Sequence, residues 1–304
     1  MNLTTRLRAA HPIHTATHHP FLRAAGRGIL PHAVLSAWLL QDTLYTRAYI
    51  RLLGGLLAGI GALLPAALPT SSTTSSSLPL SPGQPPPSSH TPYPRIFALL
   101  IAALANIHRE TALFAATAAR HRLFSLTDAA AARPASATRA YVDLFVALGG
   151  VAAGGSPRAL LEGLVALWAT ERCYFDAWSY AAECVGEREG LKEWPSLEMH
   201  ASIDIDDDDA PAASADPQAQ ADEALRTTLI PNWTSPEFGA FVDECGTCVD
   251  ALAAVVLGEH GEQGEHDEHD EATAADADYR ACEDVFRQVV WLEERFWPDV
   301  DARE

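Results

Sequence analysis

The sequence has few basic side chains for its length. Lys and Arg number 21 against 40 Asp and Glu, which leaves a formal net charge of −19. Nucleic acids and anionic membrane surfaces are bound by cationic surfaces, so neither partner is expected. The five cysteines are odd in number and unevenly spaced, which does not indicate a disulfide framework. A reducing cytoplasm is therefore the expected setting.

Alternating runs of β-branched residues, which are typical of strands, are also missing. The sequence is 48% hydrophobic, and much of that fraction is Ala and Leu, which favour helices. An all-α fold is therefore predicted. The N-terminus lacks the apolar segment of a secretory signal. The most membrane-like run, 52–68, contains four glycines and one proline, and we interpret it as a buried helix of a bundle.

Prolines, glycines and capping residues divide the chain into long helical segments. The predicted helices are 3–10, 32–64 (one helix or two), 96–123, 136–148, 157–186, 236–257 and 273–297. Three segments between them, 70–94, 200–222 and 258–272, are Ser/Pro-rich, acidic or His-rich, and they are predicted to be disordered inserts. The remainder has an ordinary length for one domain, so 1–304 is interpreted as a single helical domain.

Asp42 stands out because its neighbours Trp38, Leu39, Leu40 and Leu44 are apolar. Burying an unpaired carboxylate is costly, so an Asp in such company needs a partner or a function. Tyr45 and Tyr49 follow at the spacing that places all three on one helical face. This face could form the wall of a polar cavity inside the bundle. The alternative is an Asp at a solvated helix edge.

Two glutamates lie in similar surroundings. Glu171 has Trp168 three residues before it and Tyr174 three residues after it, and Glu293 lies between a Val pair and Phe296. A carboxyl against aromatic surface is desolvated, which raises its pKa toward neutrality and suits a general acid or base. The alternative for Glu171 is a surface ion pair with Arg172, and Glu293 could likewise face solvent.

The order of these motifs resembles the TenA family, the thiaminase-II-like proteins. The resemblance rests on His19-Pro-Phe-Leu22, on Trp38-Leu-Leu-Gln-Asp42 with Tyr45 after it, and on the run 166–178 around Glu171. It continues through 232–242, which is similar to the family's W-x(3)-EF-x(2)-FV stretch, to Glu293-x-x-Phe296-Trp297 at the end. The fold that this resemblance implies is a heme-oxygenase-like helical bundle.

The resemblance implies a hydrolase of aminopyrimidines in thiamine salvage. In the implied site, Asp42 binds the amino group or a ring nitrogen of the pyrimidine, Glu171 activates water, and Glu293 protonates the leaving amine. The aromatic residues expected to enclose the ring are Tyr45, Tyr141, Phe145 and Tyr174. No metal or organic cofactor is implied, and a homo-oligomer, dimer or tetramer, is expected.

Two departures favour the Glu-type branch of the family over its Cys-type branch. Cys173 lies two residues beyond Glu171, which turns it about 200° around the helix, so it is not the family's nucleophile. The tyrosine that the Cys branch carries after the tryptophan matching Trp233 is absent.

Other patterns are weaker. Cys245-x-x-Cys248 lacks a second such pair, and the histidines of 258–271 suggest a solvated loop. His108-x-Glu110 could suggest a set of metal ligands on a helix, but the two E-x-x-H motifs of a di-iron site are not found in the sequence. Two alternatives to the hydrolase stay open. One is a small-molecule-binding relative without activity, and the other is a heme-oxygenase-like oxidase.

Overall fold

Helices make up most of the described part of the chain. The computed structural model describes residues 2–64, 91–189, 216–258 and 268–300, and no strand occurs among them. The elements are α1 (Leu3–Ala10), α2 (His14–Thr17), α3 (Pro20–Gly26), α4 (His32–Leu63), α5 (Tyr93–Arg120), α6 (Leu126–Ala131), α7 (Ser136–Ala152), α8 (Pro157–Glu189), α9 (Pro217–Ala224), a π-helical turn (Leu225–Leu229), α10 (Ile230–Thr234), α11 (Pro236–Val256) and α12 (Glu268–Phe296).

The long predicted helices are confirmed, with ends that move by a few residues. The segment 32–64 forms one helix, α4, that ends at Leu63. Proline and a capping residue mark the starts of two other predicted helices, as expected. Pro157 opens α8, and the Ser235 hydroxyl accepts a hydrogen bond of 3.2 Å from the backbone N–H of Phe238 at the start of α11.

The predicted inserts need a correction at their edges. Residues 65–90, 190–215 and 259–267 lie outside the described part of the chain, but 93–94, 217–222 and 268–272 are helical. In α9 the Asp216 carboxylate caps the helix by accepting a 3.0 Å hydrogen bond from the Gln218 N–H. Ala221 and Ala224 are buried, so tertiary packing overrides the acidic composition here.

Helix α8 lies at the centre of the bundle and contacts α2, α3, α4, α7, α10, α11 and α12. Helices α4 and α7 approach each other closely at two glycines, because a Cβ added to Gly55 would lie 2.1 Å from the carbonyl oxygen of Gly149. Leu52, Leu53 and Leu56 are fully buried, so the described part of the membrane-like run is a core helix, as predicted.

Four tryptophans form an aromatic cluster, which we define as Trp38, Trp178, Trp233 and Trp297, the last of them directly after the end of α12. The rings of Trp178 and Trp233 stack with centroids 4.8 Å apart, and Trp38 lies 5.3 Å from Trp178. Trp297 stacks on Trp38 at 6.0 Å. This cluster ties α4, α8, α10 and the end of α12 together, and Tyr174 extends it toward the cavity described below.

One helix in the described residues, α5, is long and apolar enough to cross a membrane by length and composition. Only 28% of its most apolar window is buried inside the bundle. A single helix of this kind is weak evidence, since core helices of soluble proteins pass the same criterion. Its role in the bundle is to pack on α4 and α11 and to line the cavity.

Candidate active site

A cavity of about 800 Å³ opens between α5 and α11 and reaches inward to α4, α8 and α10. Side chains of α5 and α11 line its outer half, where apolar residues such as Ala102 and Phe241 alternate with the charged residues Arg109, Glu237 and Glu244. Its inner half is polar and aromatic. The inner side chains are Asp42, Tyr45, Tyr49, Glu110, Thr170, Glu171, Tyr174 and Trp233.

Asp42, Tyr45 and Tyr49 of α4 line the cavity together, as their helical spacing predicts. Asp42 is only 2% exposed, so a solvated helix edge is wrong for it. Its carboxylate accepts a 2.8 Å hydrogen bond from the Tyr174 hydroxyl. Burial first, and then the carboxyl of Glu110, raise the pKa of Asp42 well above its ordinary value, and the Tyr174 hydrogen bond opposes this rise.

Glu171 of α8 also lines the cavity, and the Tyr49 hydroxyl donates a hydrogen bond to its Oε1. Burial raises the pKa of Glu171 to about 8, although the Tyr49 hydrogen bond lowers it. The surface ion pair with Arg172 is wrong, because Arg172 pairs with Asp176 and with Asp243 instead. Glu171 is therefore a carboxyl that can take up or release a proton inside the cavity.

Glu293 lies elsewhere than the resemblance implies. It is 1% exposed and is absent from the cavity lining. Its Oε1 accepts a 2.5 Å hydrogen bond from the Tyr141 hydroxyl, while Oε2 has no hydrogen-bond partner within the described structure. Burial raises the pKa of Glu293 to about 8.

The expected contacts of Tyr141 and Phe145 with a ligand are corrected for the same reason. Both side chains are fully buried and neither lines the cavity. The ring of Tyr45 occupies the wall and packs edge-to-face on Tyr141 at 5.0 Å and on Phe145 at 5.3 Å. Tyr141, Phe145 and Glu293 therefore form a layer behind Tyr45.

Sequence reasoning missed Glu110 as a member of this site and missed Trp233 as its partner. The Trp233 indole N–H donates a 2.5 Å hydrogen bond to Glu110 Oε1 at the cavity wall. Burial raises the pKa of Glu110 to about 7, and the indole hydrogen bond lowers it. Ile107 and Phe114 flank Glu110 at helical spacing, which is the same pattern that singled out Glu171.

The metal interpretation of His108-x-Glu110 gains no support. His108 is exposed, and the described residues contain no group of three or more His, Cys, Asp or Glu side chains that could hold a metal ion.

Cys173 is buried outside the cavity lining, as predicted from its direction on the helix. Cys245 and Cys248 are free and buried in α11, while His260 and His266 lie outside the described residues.

Sequence comparison links the first part of the chain to a known family. Residues 7–60 match the TENA/THI-4/PQQC family. A curated relative, a "Probable transcription factor" of Fusarium pseudograminearum (strain CS3096), is 29% identical over 286 residues. The match covers 93% of this chain and 48% of the relative, so the chain spans about half the length of that protein.

Solved structures of similar fold are TenA proteins. A TenA homologue from P. horikoshii OT3 has a TM-score of 0.56 at 17% identity, and the match covers 98% of this chain and 97% of the homologue's chain. A TenA family transcription regulator from Silicibacter sp. TM1040 has a TM-score of 0.57 at 16% identity, covering 97% and 94%. A TenA homologue from Pseudomonas syringae pv. tomato has a TM-score of 0.52 at 9% identity, covering 97% and 92%.

At these identities the solved structures show the fold alone, which is the predicted all-α, heme-oxygenase-like bundle. The family match over residues 7–60 agrees with the TenA resemblance of the sequence, and the bundle has the fold which that resemblance implies.

Proposed function

We propose that this TenA-like protein is a hydrolase that releases an amine from an aminopyrimidine of thiamine salvage. The observation that carries the proposal is the inner half of the cavity. There, Asp42 and Glu171, two carboxyls with raised pKa values, face one aromatic-walled space. Two such carboxyls can divide binding and proton transfer between them.

Asp42 is proposed to bind the ring. A carboxyl that is held in place by the Tyr174 hydroxyl can pair with an amino group and a neighbouring ring nitrogen at once. The rings of Tyr45, Tyr49 and Tyr174 offer flat surfaces for a heteroaromatic ligand. The contacts first expected from Tyr141 and Phe145 become indirect, since these rings support Tyr45 from behind.

Glu171 is proposed to act as the general base. Its carboxylate takes a proton from water, the water oxygen bonds to the methylene carbon, and the carbon–nitrogen bond breaks. A leaving nitrogen that is not already protonated takes up a proton and departs as the amine. Glu293 stays in the proposal as the donor of that proton, and its buried position requires the Tyr45 ring to move aside when substrate binds.

The names of two relatives speak of transcription, but direct DNA binding is not part of this proposal. The net charge of −19 opposes binding to a polyanion. A cytoplasmic setting goes with the proposal, because none of the five cysteines forms a disulfide bond within the described residues.

The test is to incubate purified protein with 4-amino-5-aminomethyl-2-methylpyrimidine, with its N-formyl derivative and with thiamine, and to follow products by mass spectrometry. Turnover of a pyrimidine without cleavage of thiamine is expected. Glu171→Gln should lower kcat by about 100-fold or more, the usual contribution of a positioned acid or base. A hydroxymethylpyrimidine product that forms as fast in both Glu171→Gln and Glu293→Gln as in the wild type would contradict the mechanism.

Glu162→Gln is a matched control, because Glu162 is a half-buried carboxyl of the same helix α8 that faces Asp278 away from the cavity. Pyrimidine binding without turnover of any substrate would favour a small-molecule-binding protein.

A further inference from the structure

Glu110 has no role in the proposed hydrolysis, yet it lines the inner half of the cavity with Asp42 and Glu171. The electrostatic effect of Glu110 on Asp42 is the largest that any neighbouring charge exerts on that carboxyl. The described lining contains a single cationic side chain, Arg109, which lies exposed on α5. Asp42, Glu110 and Glu171 thus share the inner half of a cavity whose lining holds two further acidic side chains, Glu237 and Glu244, and no cationic side chain of the described residues lines that inner half.

The hydrogen bond that Glu110 accepts from the Trp233 indole does not by itself explain why position 110 carries a carboxyl. The indole N–H groups of Trp38 and Trp178 are fully buried and have no hydrogen-bond partner among the described residues. The fold therefore tolerates unpaired indoles in this same aromatic cluster. An amide or hydroxyl would satisfy the Trp233 N–H without the cost of burying an ionisable group.

The geometry of Glu110 suits ligand binding. One carboxyl oxygen, Oε1, is fixed by the Trp233 indole, and Trp233 is in turn fixed by stacking on Trp178. The other oxygen makes no hydrogen bond to the described protein and lies at the cavity wall, so it is available to a donor in the cavity. A carboxyl whose second oxygen is free in a cavity can accept a charge-assisted hydrogen bond from an ammonium group.

We infer that Glu110 is a specificity-determining residue that binds a protonated amine on the ligand, while Asp42 binds the heteroaromatic ring. The inference rests on the proposed function and narrows its substrate class. The ligand carries two nitrogen-containing groups, a ring with an amino group and a basic aliphatic amine on a short arm. Neutral analogues with a hydroxyl in place of the amine bind more weakly, because they leave Glu110 without a cationic partner.

The test compares two pyrimidines that differ only in this arm, 4-amino-5-aminomethyl-2-methylpyrimidine and its 5-hydroxymethyl analogue. Their affinities are measured by calorimetry for the chain with Glu110 and for Glu110→Gln, each also carrying Glu171→Gln so that the proposed hydrolysis does not convert one ligand into the other. The chain with the wild-type residue at position 110 should prefer the aminomethyl compound. Glu110→Gln should weaken binding of that compound by about 10- to 100-fold and change the affinity for the hydroxymethyl analogue less than about twofold.

Glu110→Gln keeps a neutral acceptor for the Trp233 indole, so it is expected to fold. A purely structural role for Glu110 would weaken both ligands alike, which would overturn the inference, as would equal binding of the two ligands by the chain with Glu110. Glu162→Gln serves again as the control and should leave the ratio of affinities unchanged.

The proposed hydrolysis is judged separately, by turnover of the wild type. Turnover without a preference for the amine refutes the role of Glu110 alone. A preference for the amine without turnover refutes the hydrolase alone. Failure of the wild type to bind either pyrimidine refutes both.

Discussion

Individual carboxyl groups decide how this protein responds to pH. Glu293 ordinarily titrates near 4.5, and burial raises its pKa to about 8 in the folded chain. Between these values the folded state holds a proton that the unfolded state has released. The resulting stabilisation is fully present below about pH 4.5 and is lost as the pH rises through 8.

We expect Glu293→Gln to remove this dependence. The amide can still accept the hydrogen bond from Tyr141 and carries no ionisable proton. As the pH rises from about 5 to about 8, the free energy of unfolding of the wild type should therefore fall more steeply than that of the variant. The difference between the two slopes should be about 1.4 kcal/mol per pH unit. Urea denaturation across this range measures the slope. Parallel curves would contradict the assignment, and Glu294→Gln, at a more exposed neighbouring residue, should change the slope little.

A second prediction at this scale concerns Tyr49. Its hydroxyl lowers the pKa of Glu171 by hydrogen bonding to the carboxylate, so Tyr49→Phe should raise that pKa. If Glu171 acts as a base, the rising limb of kcat/KM against pH should move to higher pH, and activity at pH 7 should fall. A limb that moved to lower pH would contradict this role. Tyr180→Phe is the control, because the Tyr180 hydroxyl meets Arg23 outside the cavity.

At the scale of elements, the spacing of α4 and α7 depends on small residues. A methyl group at Gly55 would meet the carbonyl oxygen of Gly149 at 2.1 Å, whereas one at the adjacent Gly54 would meet nothing within 4 Å. Backbone atoms on both sides leave no side chain that could turn away.

Gly55→Ala should therefore push the two helices apart and lower the free energy of unfolding by about 1–3 kcal/mol. Gly54→Ala should raise it by about 0.5–1 kcal/mol, because Ala has the higher helix propensity. Chemical denaturation of both variants measures these two changes in the free energy of unfolding. Equal effects of the two substitutions would refute the close contact.

Sequence patterns predict where helices begin and end better than they predict whether a buried side chain faces the cavity. The boundaries at Pro157 and Ser235 follow from local chemistry, so they are visible in the sequence. The helical stretch 217–234 is not visible in the sequence, because its acidic start is typical of a solvated segment and Pro231 removes a helical N–H. A π-helical turn precedes that proline and is compatible with the missing hydrogen bond.

The site shows the same division. Helical spacing correctly grouped Asp42, Tyr45 and Tyr49, and apolar neighbours correctly marked Glu171 as desolvated. The same criterion also marked Glu293, and burial is what the structure shows there. Whether a buried carboxyl faces a cavity or the layer behind it depends on a ring from another helix, here Tyr45, which sequence spacing does not encode.

At the scale of the whole molecule, several large apolar side chains are exposed on the surface of the bundle. Leu52, Leu53 and Leu56 of the run 52–68 are buried in the core, so they do not contribute to an exposed surface. The large apolar side chains left exposed on α4 and α5 are Ile50, Phe97 and Ile101.

We propose that these three residues contribute to the expected homo-oligomer. Light scattering after gel filtration should then give a multiple of the 32.6 kDa chain mass, and Ile101→Asp should shift the mass toward the monomer. A monomeric wild type would refute the proposal. Val151→Asp, at an exposed site near the end of α7, is the control.

The hydrogen bond between Trp233 and Glu110 also gives the molecule an optical property. An indole that donates to a carboxyl changes its fluorescence when that carboxyl gains or loses charge, and Trp233 lies within 6 Å of the rings of Trp38 and Trp178. Excitation absorbed by the neighbouring indoles can migrate to the one beside the cavity. Light emission from the unlabelled protein should therefore report when the cavity is filled, so that ligands can be screened without a dye.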